Sequence, residues 1–77
     1  MKDILWDQIM VRDFESLACL SETERAVLHD WAFGKSVTQT AMNRTMCDTT
    51  VKDIRKKLRI KYDAVQIYSP LLPERRT

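Results

Sequence analysis

One glycine stands in the whole chain, Gly34. Phosphate-cradling loops of the Walker and dinucleotide types need several glycines for close backbone approach, so both are excluded. Two-residue hairpin turns lean on Asn-Gly or Asp-Gly, and neither dipeptide occurs, which disfavours hairpin architecture. The chain is therefore expected to be largely helical. Its 77 residues make one domain, and 44% hydrophobic with 31% charged residues is the balance of a folded domain, not of a disordered tail. A chain this short buries only about 60–65% of its unfolded surface, which argues against a large enclosed catalytic cavity.

Hydrophobic spacing predicts four helices. Over residues 2–18, Ile4, Val11, Phe14 and Ala18 fall at helical steps, with Leu5 and Ile9 beside them and Trp6 and Met10 widening the apolar face. So broad a face is expected to serve both the core and a homodimer contact. Ser21 with Glu24, three residues on, forms a capping box that opens a second helix over about 22–33, carrying Val27, Leu28, Trp31 and Ala32. Gly34 follows as the left-handed residue that ends it. Ser36 with Gln39 is another capping box and opens a short third helix containing Ala41 and Met42. The longest regular stripe, Val51, Ile54, Leu58, Tyr62 and Val65, marks a fourth helix from Asp48 to about Gln66. Ser69-Pro70 and Pro73 forbid its continuation, so residues 69–77 are expected as an extended tail.

Charge divides along the chain. Residues 1–34 carry three Lys or Arg against seven Asp or Glu, a net of −4, whereas residues 35–77 carry ten against four, a net of +6. The basic half points to a polyanionic partner. Cys19 and Cys47 are too few for a disulfide framework and are expected as reduced, partly buried thiols of a cytoplasmic protein. With one histidine, His29, no metal set is complete, and no Ser or Cys lies at helical spacing from it, so neither a metal site nor an enzyme is expected. No cofactor motif occurs. No apolar run approaches 18 residues and no leader is evident, so no membrane role is expected. Trp6 and Trp31 are expected in the core and His29 on the surface.

Ala41, Met46, Val51 and Ile54, spaced five, five and three residues apart, fit the plan of a helix-turn-helix, with a small residue in its first helix and apolar anchors in its second. The stretch from Leu20 to Leu58 resembles the DNA-binding domain of the LuxR/GerE family and, more distantly, region 4 of sigma-70-type RNA polymerase factors. The resemblance rests on Leu20-Ser21-Glu22-Thr23-Glu24-Arg25-Ala26-Val27-Leu28, on Gly34-Lys35-Ser36, and on Thr50-Val51-Lys52 followed by Arg55 and Leu58. It implies a helix-turn-helix with an additional N-terminal helix packed on a three-helix core, reading duplex DNA.

Three departures stand at the turn. Thr40 replaces an apolar residue, and Arg44 and Thr45 replace leucine and glycine. Thr40 is expected to bury its methyl, and Arg44 to lay its stem on the core with its head in water. Thr45 falls where a left-handed backbone is needed, at a cost of about 1 kcal/mol. The fourth helix also continues past Leu58, where the family breaks.

The fourth helix carries six cations against two acids between Asp48 and Lys61. Thr49, Thr50, Lys52, Asp53 and Lys56 are expected to meet base edges, with Arg55 and Arg59 adding phosphate contacts and Ser36 and Thr38 holding a phosphate at the third helix. The expected function is sequence-specific duplex DNA binding by a small transcription-regulator-like homodimer. The alternative is a protein-interaction module on the same scaffold, with RNA polymerase or another regulator as partner.

Overall fold

The computed structural model describes residues 6–72, and each of its first three helices starts at a side chain that accepts a first-turn amide. Helix α1 is Gln8–Leu17, α2 is Glu22–Ala32, α3 is Val37–Arg44 and α4 is Asp48–Gln66. Both capping boxes form reciprocally: Ser21 Oγ accepts from the Glu24 amide at 3.1 Å, and Ser36 Oγ from the Gln39 amide at 3.1 Å. Gly34 closes α2 at φ +82°. Helix α4 follows Cys47, which provides no side-chain cap. The described residues are thus all-α, without strands.

Two boundaries differ from the periodicity. The first helix begins at Gln8, not at residue 2, because Asp7 is extended and its carboxylate accepts from the Met10 amide at 2.8 Å. Residues 2–5 of that expected helix, with Ile4 and Leu5, lie outside the described residues. The segment after α4 is not an extended tail over 69–72. Leu72 is only 2% exposed, the Ser69 hydroxyl donates to the Asp13 carboxylate, and Gln66 donates to the Leu72 carbonyl at 3.3 Å. Burying one more leucine folds this segment back onto the core. The rest of the expected tail, 73–77, lies outside the described residues.

An aromatic cluster occupies the centre. The Trp6 ring lies 5.3 Å from Phe14, 5.6 Å from Trp31 and 5.5 Å from Tyr62, the last two edge-on. Both tryptophans therefore stand where the sequence puts them, in or against the core. Around them Val27, Leu28, Val51 and Leu58 are fully buried. The inner face of α1, including Val11 and Phe14, is covered by its own chain, so any contact with a second copy must use other residues.

Helices α2 and α4 pack in opposite senses. Glu24 near the start of α2 meets Lys61, whereas Trp31 near its end meets Arg55 and Arg59. Three further side-chain settings add to or differ from what the sequence suggests. His29 stands at the surface, its side chain 45% exposed, but also bonds Glu15 on α1, a pairing the sequence did not suggest. Cys19 and Cys47 are exposed, not partly buried. The Arg44 head does not sit in open water: it grips Asp30 through two bonds, of 3.2 and 3.0 Å.

Candidate nucleic-acid interface

Helices α3 and α4 are joined by three residues, Thr45, Met46 and Cys47. Thr45 adopts φ 56°, ψ 50°, the left-handed conformation expected there, and its amide and that of Met46 both return to the Ala41 carbonyl. Ala41 is buried in the core, and Met46 packs against it. Thr40 is wholly buried, and its hydroxyl has no hydrogen-bond partner.

The turn is braced from α2. Asp30 is buried, and burial alone would raise its carboxyl. The hydrogen bonds and charge of Arg44, with Lys35 at 3.6 Å, outweigh that and hold it below the ordinary carboxylate range. The same contact holds Arg44 still more firmly protonated. Arg44 is thus matched by an acid on the neighbouring helix.

Val51, Ile54, Leu58 and Tyr62 turn one stripe of α4 inward. At about 100° per residue, Thr49, Lys52, Asp53 and Lys56 fall within about 100° of arc on the opposite side, and all four are exposed. Thr50 is also exposed but lies on the flank, beside Lys57. Four of the five residues expected to meet base edges therefore share one face, with Thr50 at its margin.

The remaining cations of α4 are engaged by the scaffold. The Arg55 guanidinium donates to the Lys35 carbonyl at 2.8 Å and lies 4.9 Å from the Trp31 ring centroid. Arg59 lies 4.9 Å from the same centroid. Lys61 donates to Glu24 at 2.9 Å and to the Cys19 carbonyl at 3.2 Å. Burial by itself would raise the Glu24 carboxyl, but the Ser21 amide and then Lys61 outweigh it and leave it lowered. Arg55 and Arg59, expected as phosphate contacts, are thus placed against α2. A flat guanidinium on an indole gains more there than an ammonium would.

Two further expected residues are also partly committed. Ser36 caps α3 with its hydroxyl and donates its own amide to Gln39 at 2.9 Å. The Thr38 hydroxyl faces Asp48 on α4 at 3.4 Å. An acid in the first turn of α4 suits the helix dipole but opposes a phosphate at that end. Conversely, Lys57 was not singled out by the sequence although it is exposed. Among the described residues no ion pair holds Lys52, Lys56 or Lys57. Their freedom follows from their position outside the α2 contact, which periodicity alone does not locate.

No group of three or more His, Cys, Asp or Glu side chains among the described residues is arranged to hold a metal ion, and no described helix is long and apolar enough to cross a membrane. Comparison with protein-family models, with curated proteins and with solved structures returns no match.

Proposed function

We propose that this chain binds duplex DNA with the N-terminal half of α4 in the major groove, as a small cytoplasmic transcription-regulator-like protein of the LuxR/GerE helix-turn-helix type. The observation that supports this reading is the sorting of cations on α4: Lys52, Lys56 and Lys57 stand free and exposed, while Arg55, Arg59 and Lys61 fix the helix to α2. Free lysines supply phosphate neutralisation, and the fixed ones supply the orientation that base reading requires. Within the outward face, Lys52 and Lys56 suit the acceptors of guanine, Asp53 the amino group of cytosine, and Thr49 either kind of edge.

Fluorescence anisotropy on random duplex tests the reading. With about 0.9 of a counterion released per neutralised phosphate, three free lysines give a slope of log K against log salt near −2.7 per copy, and Lys52→Ala with Lys56→Ala removes about 1.8 of it. No binding near 50 mM salt, or a slope untouched by the double substitution, refutes it. The second reading, a module that docks on RNA polymerase or another regulator, draws support from Ile60, 60% exposed in the middle of the outward face of α4. Capture of polymerase subunits that survives nuclease treatment and is lost with Ile60→Ser favours that reading instead.

A further inference from the structure

Among the described residues nothing covers the outer side of α1, and its residues are arranged as their own complement. Ile9 is 63% exposed, Arg12 and Ser16 are exposed, and Asp13 is half-buried. With Leu71 these residues line a groove of about 340 Å³. Among the described residues no ion pair holds Arg12. Asp13 spends one carboxylate oxygen, Oδ2, on Ser69.

We infer that this face pairs two copies of the chain through an antiparallel contact between their α1 helices. A two-fold axis passing between Arg12 and Asp13 sets Arg12 against the partner's Asp13 and Ile9 over the partner's Ser16, each contact occurring twice. A large apolar side chain thereby meets a small one and a cation meets an acid, at one spacing. This inversion within a single helix is what an isologous interface demands and what a foreign partner does not. Ile9 of each copy meets the groove that Leu71 also lines, and the small serine lets the helix axes approach.

The pairing does not depend on the DNA reading, and it is compatible with it. Asp13 is bonded to Ser69, just beyond the end of α4, so the axis lies at the C-terminal end of that helix. The pairing face is thus at the end of α4 away from Lys52 and Lys56, and leaves the N-terminal half of that helix uncovered.

Sedimentation velocity on the full chain without DNA, from about 10 to 500 μM, tests the inference. The unaltered chain is expected as a reversible dimer. Arg12→Asp alone places two acids against two acids, and Asp13→Arg alone two cations against two cations. Each is expected to weaken pairing ~10-fold or more, whereas an equimolar mixture of the two forms a heterodimer because both contacts are then of opposite sign. Asp13→Arg also removes the bond to Ser69, so Ile9→Glu, which touches no hydrogen bond of the chain, provides a second dissociating variant. A monomer throughout the range overturns the inference. So does a dimer indifferent to Arg12→Asp and Ile9→Glu, or a mixture of two folded variants that stays monomeric.

Discussion

Thr45→Gly is expected to stabilise this chain, and Gly34→Ala to destabilise it by a similar amount. Both residues occupy the left-handed region just past a helix, at φ 56° and φ +82°, yet one is β-branched and the other has no side chain. An L-residue pays about 1–2 kcal/mol to hold that conformation. Glycine escapes that strain but loses more chain entropy on folding, about 0.4–1 kcal/mol relative to alanine. The difference leaves about 0.5–1 kcal/mol in favour of glycine at position 45. Thr45 is exposed, so truncating it forfeits little packing, and the two bonds to the Ala41 carbonyl come from backbone amides that glycine keeps.

Gly34 supplies the control. A Cβ built there meets nothing within 4 Å, so alanine at that site is strained by backbone conformation alone. For a domain of this size about 1 kcal/mol moves the melting temperature by about 4–8 °C, so Thr45→Gly should raise it by ~2–8 °C and Gly34→Ala lower it by as much. Urea denaturation followed by far-UV circular dichroism gives the free energies directly. Asparagine, which tolerates the left-handed region, should fall between threonine and glycine at position 45. If Thr45→Gly leaves stability unchanged or lowers it while Gly34→Ala costs what is expected, the turn between α3 and α4 is not held by the geometry described.

Thr40→Val is expected to raise stability by ~1 kcal/mol in the same denaturation assay, since the buried hydroxyl has no partner and valine keeps its shape. Acid should destabilise the fold: Asp30 and Glu24 are held below their ordinary values of 3.8 and 4.5, so their contribution is complete above those values and is lost as pH falls through the lowered ones. Melting temperatures between pH 7 and pH 2 read this directly, and Asp30→Asn should flatten the acid limb.

Features that depend on a few neighbouring residues were legible in the sequence. Ser21 with Glu24 and Ser36 with Gln39 lie within one helical turn, and the stripe from Val51 to Val65 repeats often enough to set both ends of α4. Gly34 announced its backbone conformation by position, and Thr45 through its place where the family that the sequence resembles has glycine. The start of α1 was not legible, because Ile4, Leu5 and Trp6 satisfy a helical period that Asp7 interrupts by capping the helix from outside it. Pairings across helices were hidden for another reason. Arg44 lies 14 residues from Asp30, and His29 lies 14 from Glu15. Which side chain meets which depends on how two helices cross, and spacing along one helix carries no record of that. For the same reason the sequence assigned Arg55 and Arg59 to phosphates, whereas in the fold both lie over the Trp31 ring.

That placement bears on how α4 is used. Arg55 and Arg59 hold one flank of the inward stripe, and Lys61 holds the other, so the helix is fixed against rolling about its axis. One residue of roll is about 100°, enough to turn Lys52 and Lys56 off the outward face. Under the proposed function, Arg55→Ala combined with Lys61→Ala should therefore loosen base reading before it loosens phosphate contact. The expected signature is a reduced ratio of affinity between a selected duplex and a random one, with the salt slope of random binding unchanged, in a variant that circular dichroism shows to be folded. A slope reduced by about 2 would mean that both side chains reach phosphates, and the separation of anchoring from reading cations on α4 would then be wrong.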